Sequence, residues 1–253
     1  QNYAFLRGYM LDLEKKFPDG ILNTAGTPDW LNSDMIDAPG IPVSGAQIGW
    51  DEYSTFDYAE SVKMFAELAE ILGEEEDVKL FNDRLALIKR SIAQKLLSAD
   101  KKTRTDTQTS YAMLLFRNLV EEEDIPTVAQ HYYDAIKRYN DRVSCGVYVI
   151  DEVLGVLTML GKHDLALELA FEPRFPSLGY MIDQGATSIW ERWDTYLHTR
   201  PDVHEKLRWQ APKGSCLTFI NEAGCAGVSM NSFNHLEMTS SSRFLIERVL
   251  GLR

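Results

Sequence analysis

The sequence predicts an all-α fold built from successive helical hairpins, the plan of an α/α toroid. Apolar residues recur at every third or fourth position through much of the chain, which is the period of an amphipathic helix. Turn residues and helix-start signals separate these stretches at short intervals, so consecutive helices are expected to pack as pairs. Loops rich in Trp, Asp, Glu and His interrupt the pairs. The pattern therefore predicts a helical scaffold that carries polar and aromatic loops.

The first predicted helix, residues 3–17, is followed by a long segment without a sustained period. This segment, residues 21–50, is rich in Gly, Pro, Asn and Asp. Loops of this length in a compact domain are usually functional. Trp30, with Asp29 before it, is therefore a candidate for a wall that faces a substrate. The alternative is a hydrophobic plug that anchors the loop.

The same apolar period predicts seven further helices along the chain. They cover residues 55–72, 74–96, 106–120, a helix with Pro126 in its first turn, 147–160, 163–171 and 238–250. The acidic run at 74–77 is interpreted as a solvated helix start, because carboxylates are favoured at the positive end of the helix dipole. Residues 175–202 are interpreted as loop-rich.

Two carboxylates stand inside the predicted helix 147–160, which is apolar on nearly every side. Asp151 and Glu152 need partners or a cavity if they are buried. They could pair with an arginine, cap a neighbouring helix or line a pocket. We favour a structural role.

Composition limits the class of partner. The chain has 253 residues, a net charge of −12 and no linker-like segment, so we expect a single domain over residues 1–253. The acidic balance argues against nucleic acid and suits a neutral substrate. No apolar run approaches the roughly 20 residues that cross a bilayer, so no membrane partner is expected. The compartment stays open, because any targeting signal would lie upstream.

The three cysteines lack the number and paired spacing of a disulfide framework or a zinc site. Free thiols are the default interpretation. Cys216 and Cys225 lie in one Gly-rich segment and could pair if that segment folds back. Nucleophile elbows, phosphate-binding loops and metal-ligand pairs are also missing from the sequence, so neither a cofactor nor a metal is expected.

The densest cluster of functional residue types is GATSIWERWD at residues 185–194. Trp190 and Trp193 are three apart and would share a face on a helical turn, with Glu191 beside them. A carboxylate between aromatic walls is a catalytic arrangement. The alternative is a surface ion pair of Glu191 with Arg192 on a helix whose tryptophans fill the core. His235 is either a packed or capping residue or a member of the same site.

Five segments, in this order, resemble the bacterial α-L-rhamnosidases of glycoside hydrolase family 78. They are PDWLNSD (28–34), DTQTSYAMLL (106–115), GKHDLALELAFEPRFPSLGYMI (161–182), GATSIWERWD (185–194) and MNSFNH (230–235). The resemblance implies an (α/α)6 toroid of the six-hairpin glycosidase type, incomplete in this chain. It also implies hydrolysis of terminal α-L-rhamnosyl bonds with inversion, in a rhamnose-containing oligosaccharide or glycoside.

In this resemblance, Glu191 matches the general base that activates a water, and the charge of Arg192 would help keep it ionised. Inversion needs a second carboxyl group about 6.5–9.5 Å away as the general acid. The positions expected to contact the sugar are Trp30, Asp29, Trp190, Arg192, Trp193 and His235.

The chain departs from the family pattern in lacking the Asp/Arg/Glu-rich motif that carries the general acid. Asp51 and Glu52 lack the arginine of this motif. They also follow the DWL sequence at 29–31, whereas the family's acid motif lies upstream of it. The expectation is a C-terminal part of the catalytic domain, whose missing N-terminal part supplies the acid and several barrel helices. The alternatives are another toroidal glycosidase or polysaccharide lyase, a catalytically inactive sugar-binding module or, less favoured, a helical-repeat scaffold.

Overall fold

The computed structural model describes residues 2–23, 28–29, 32, 48–146, 148–191, 193, 234–236 and 240–252, and regular structure in these ranges is helical. The helices are α1 (Asn2–Lys16), α2 (Trp50–Leu72), α3 (Glu75–Lys95), α4 (Gln108–Phe116), α5 (Ile125–Arg138), α6 (Ile150–Met159), α7 (His163–Phe171), α8 (Leu178–Asp183) and α9 (Ser240–Arg243). A short 3-10 turn, Glu122–Asp124, leads into α5, and a π-helical turn, Phe244–Val249, continues α9.

The helices pack in sequential pairs, as the periodicity predicts. α2 packs against α3, α4 against α5 and α6, and α6 against α7. The α2–α3 hairpin closes at Gly73, which has φ of 76° and ends α2 in the left-handed conformation that glycine adopts without strain. The next amide, Glu74 N–H, donates to the carbonyl of Ala69 over 2.9 Å and satisfies the end of the helix.

Both ends of α4 show why this helix is shorter than predicted. Thr107 and Ser110 form a reciprocal capping box in which each side chain accepts a hydrogen bond from the other's backbone amide. Asn118, with φ of 56°, leaves the helical region two residues after Phe116. The helix therefore spans Gln108–Phe116 rather than residues 106–120.

The two carboxylates of α6 have structural partners among arginines, as the favoured interpretation predicts. Glu152 accepts hydrogen bonds from Arg117, with 2.7 Å between Oε1 and Nη2. Asp151 pairs with Arg243 of α9 at 3.2 Å. Burial raises the pKa of Asp151 to about 6, and Arg243 acts in the opposite direction.

Several predictions of local structure are wrong. Residues 186–191 and 193 are not helical, so Trp190 and Trp193 do not share a helical face. The loop-rich interpretation of residues 175–202 missed α8, whose first turn Ser177 caps by accepting a hydrogen bond from the Tyr180 amide. The predicted single helix 238–250 is a short α9 followed by a π-helical turn.

The acidic run at 74–77 is only partly a solvated helix start. Asp77 is buried and accepts hydrogen bonds from Tyr3 Oη at 2.7 Å and from Arg7 Nε. The Arg7 hydrogen bond lowers the pKa of Asp77, although burial acts to raise it. This contact ties α1 to the start of α3.

An open apolar groove of about 690 Å³ lies between α1 and α2. Tyr9 of α1 and Met64 of α2 line it and keep most of their surface exposed. Phe5 on α1 is also 76% exposed. The described part of the chain thus leaves an apolar strip on the side of its first two helices.

Candidate active site

The segment that carries Glu191 follows α8 and is buried although it is not helical. Gly185, with φ of 84°, ends α8, and residues 186–190 lead to Glu191 without regular secondary structure. Glu191 is 7% exposed, and the flanking Trp190 and Trp193 are 3% and 2% exposed. A carboxylate with little exposed surface is thus flanked in the sequence by two buried tryptophans.

Trp193 is fixed by a hydrogen bond to a distant part of the chain. Its indole Nε1–H donates to the carbonyl oxygen of Cys145 over 2.8 Å. Cys145 lies in the α5–α6 loop, residues 139–149, which the structure describes except for residue 147. Indole N–H groups usually find such a partner when they are buried.

Asp29 accepts hydrogen bonds from the same loop, immediately after Cys145. Its Oδ2 accepts from the Gly146 amide at 2.6 Å and from Thr109 Oγ1 at 2.9 Å, and its Oδ1 accepts from the Tyr148 amide at 3.3 Å. The residue is fully buried, and burial raises its pKa to about 6, although these hydrogen bonds act to lower it. Its contact with a substrate therefore stays a prediction, and its observed contacts are internal.

His235 joins the site through its backbone. The His235 amide donates to the carbonyl of Ile189 over 2.9 Å, which places His235 next to the residue before Trp190. The imidazole is partly exposed. The structure thus brings together five of the predicted residues, namely Asp29, Trp190, Glu191, Trp193 and His235. Trp30 and Arg192 lie outside the described residues, as do Cys216 and Cys225.

Two residues at the start of α4 were missed by the sequence analysis. Gln108 Nε2 donates to the Arg142 carbonyl, and its Oε1 accepts from the Ser144 amide, both at 2.9 Å. Thr109 donates to Asp29. Both side chains are fully buried. The signal for them was a run of polar residues opening an otherwise apolar helix, because buried polar groups require hydrogen-bond partners.

Asp51 and Glu52, which do not match the family's general-acid motif, form hydrogen bonds and an ion pair within the protein. Asp51 forms an ion pair with the guanidinium of Arg104. Glu52 is fully buried and accepts from the Arg104 amide at 2.7 Å and from the Thr105 hydroxyl. Burial raises the pKa of Glu52, and the Thr105 hydrogen bond acts against it. These contacts anchor the loop before α4 to the start of α2.

Within the ranges that the structure describes, no three His, Cys, Asp or Glu side chains are grouped so that they could hold a metal ion. None of the described helices is long and apolar enough to cross a membrane.

The sequential helix pairs place the chain in the class of all-α domains built from helical hairpins, which is the architecture of an α/α toroid. The chain matches the bacterial alpha-L-rhamnosidase 6 hairpin glycosidase domain over residues 1–249. It therefore belongs to this family, and both the all-α toroid and the resemblance inferred from the five segments are confirmed.

Two relatives illustrate the match. An α-L-rhamnosidase of Streptomyces avermitilis is 30% identical over 240 residues, which are 94% of this chain and 20% of that protein. An α-L-rhamnosidase of Formosa agariphila is 26% identical over 256 residues, which cover 100% of this chain and 24% of that protein. The chain thus spans between a fifth and a quarter of their length.

A solved structure has the same fold. The crystal structure of the Streptomyces avermitilis α-L-rhamnosidase complexed with L-rhamnose matches with a TM-score of 0.76 and 27% sequence identity. The match covers 98% of this chain and 21% of that chain.

Proposed function

We propose that this chain provides the general-base side of an inverting α-L-rhamnosidase active site, with Glu191 as the base. The observation that carries the proposal is the burial of Glu191 beside Trp190 and Trp193 in a segment whose two ends are hydrogen-bonded, Ile189 to His235 and Trp193 to Cys145. Family membership supports the substrate class, because the relatives are α-L-rhamnosidases and one was solved with L-rhamnose.

The proposed role of Glu191 is to remove a proton from a water that attacks the anomeric carbon of the rhamnosyl unit. The water's oxygen forms the new bond to carbon while the glycosidic oxygen leaves with a proton from the general acid. The tryptophans limit the access of bulk water, which strengthens electrostatic interactions with the developing positive charge on the sugar. Trp30, Arg192 and His235 are proposed to contact the rhamnose.

The general acid is proposed to come from outside this chain. Two buried carboxylates among the described residues, Asp29 and Glu52, are engaged in hydrogen bonds inside the protein. The relatives are four to five times longer, and the apolar groove between α1 and α2 offers a surface against which further toroid helices can pack. The partner proposed here is therefore an upstream part of the same protein.

The test is Glu191→Gln in the intact enzyme, with an aryl α-L-rhamnoside as substrate. We expect kcat to fall by roughly 10³-fold, since a positioned general base typically contributes about 10²–10⁴-fold. Glu67→Gln, at an exposed position on α2, is the matched control and should keep wild-type turnover. Proton NMR of the first product should show the inverted anomer.

Three outcomes would contradict parts of the proposal. Near-normal turnover of Glu191→Gln would remove this residue from the role of base. Retention at the anomeric carbon would exclude the inverting mechanism. Rhamnose binding by calorimetry without any turnover in the intact wild-type protein would identify a sugar-binding module instead.

A further inference from the structure

The α5–α6 loop is held by buried side chains that come from three distant parts of the chain. Gln108 bonds the backbone of Arg142 and Ser144, and Asp29 bonds the amides of Gly146 and Tyr148. Cys145 lies between these two sets of hydrogen bonds, and its carbonyl oxygen accepts from the Trp193 indole. The position of this oxygen is therefore determined by the side chains on either side of it.

Thr109 supports the contact between Asp29 and the loop. Its hydroxyl donates to the same Asp29 oxygen that the Gly146 amide contacts, so it helps to orient the carboxylate towards the loop. Thr109 is on the first turn of α4, whose reciprocal cap by Thr107 and Ser110 fixes the backbone at that point. The contacts thus run from a rigid helix end through a carboxylate to the loop.

We propose that Asp29 and Thr109 are positioning residues for Glu191, acting through the α5–α6 loop and Trp193. The proposal rests on the proposed function of Glu191 as the base. Trp193 is two residues after Glu191, so a shift of the Cys145 carbonyl displaces the short segment that carries the base. A displacement of about 1 Å at a reacting group can lower a rate by roughly 10²-fold.

The first test compares Thr109→Val with Thr109→Ser in the intact enzyme. Valine has nearly the same shape as threonine but cannot donate to Asp29, whereas serine keeps the hydroxyl. We expect Thr109→Val to lower kcat at least tenfold with KM changed less than threefold, and Thr109→Ser to restore most of kcat. Unchanged kcat in Thr109→Val would overturn the proposal.

A matched control separates positioning from general destabilisation. Ser91→Ala removes a hydrogen bond from the buried Ser91 hydroxyl to the Asp19 carbonyl, 2.6 Å long, which joins α3 to the turn after α1. We expect it to lower the thermal midpoint about as much as Thr109→Val while kcat stays within twofold of wild type. An equal loss of kcat in both variants would overturn the proposal.

The second test asks whether the effect passes through Glu191. In a Glu191→Gln background the base is already absent, so adding Thr109→Val should leave the residual rate unchanged. If the residual rate falls again by the same factor, the effect does not act through Glu191 and the proposal is wrong. Trp193→Phe, which removes the indole N–H donor together with part of the ring, should show the same non-additivity if Thr109→Val does not fold.

These experiments distinguish two failures. Near-normal activity of Glu191→Gln alone would contradict the proposed function. An inactive Glu191→Gln combined with normal kcat in both Thr109→Val and Trp193→Phe would contradict only the positioning role.

Discussion

At the scale of single residues, Asp29 shows how burial and hydrogen bonding oppose each other. Its carboxylate has lost all contact with solvent, which raises its pKa to about 6, while three donors favour the ionised form. Nearby Glu152 acts in the same direction as burial. The folded chain therefore keeps a proton on Asp29 at pH values where an unfolded aspartate, with a pKa near ~3.9, has released it.

This difference predicts a pH dependence of stability. Between about pH 4 and 6 the folded state binds more protons at Asp29 than the unfolded state, so the free energy of unfolding falls as pH rises. The contribution is fully present below about pH 4 and is lost as pH rises through 6. We expect urea midpoints measured from pH 4 to 7 to fall less steeply in Asp29→Asn than in wild type.

Asp12→Asn is the control for this pH series, because Asp12 is exposed and pairs with Lys15 on the surface of α1. Its curve should run parallel to that of wild type. Parallel curves for Asp29→Asn as well would contradict the assignment of the titration to Asp29.

At the scale of elements, α8 shows how tightly a short helix can be packed against its predecessor. Gly179, in the first turn of α8, lies so close to the end of α7 that an added Cβ would be 2.4 Å from the carbonyl oxygen of Phe171. That oxygen belongs to the backbone and cannot move away cheaply. The approach of α8 to α7 thus depends on the absence of a side chain.

We expect Gly179→Ala to lower the free energy of unfolding by about 1–3 kcal/mol, the usual cost of overpacking. Gly8→Ala is the matched control, because Gly8 is also helical but has nothing within 4 Å of an added Cβ. It should raise stability by about 0.5–1 kcal/mol through helix propensity. Chemical denaturation measures both changes, and a neutral Gly179→Ala would contradict the close approach.

At the scale of the whole molecule, one buried arginine joins three helices. Arg117, at the end of α4, donates from Nε and Nη2 to Glu152 of α6 and from Nη1 to Asp57 of α2. Its side chain is 9% exposed and that of Glu152 is 13% exposed, while Asp57 is 58% exposed. Coulombic attraction to Glu152 raises the pKa of Arg117 although burial acts to lower it.

We expect Arg117→Met to lower the free energy of unfolding by about 3 kcal/mol, because Glu152 then keeps a buried charge without its partner. Lys137→Met breaks the exposed ion pair between Lys137 of α5 and Asp141 of the following loop. It should lower the free energy of unfolding by less than about 0.5 kcal/mol. The double variant Arg117→Met with Glu152→Met should recover much of the loss. If Arg117→Met and Lys137→Met lowered the free energy of unfolding equally in urea, the structural role of the buried pair would be contradicted.

The sequence by itself determined the helices of this protein and the segment that holds its candidate base. Helical periodicity and capping residues are local signals, so helices such as α7, predicted at residues 163–171, agree with the structure to the residue. The WERW cluster was recognisable from its residue types. Glu152 was expected to have a structural partner, which the structure identifies as Arg117.

Only the tertiary structure decided how the candidate site is held. Trp190 and Trp193 were predicted on a helical turn, but residues 186–191 and 193 are not helical, and both tryptophans are buried. Asp29 reaches Thr109 across 80 positions and Gly146 across 117. No local pattern encodes such pairs, because the partners of a buried polar group depend on which helices the fold brings together.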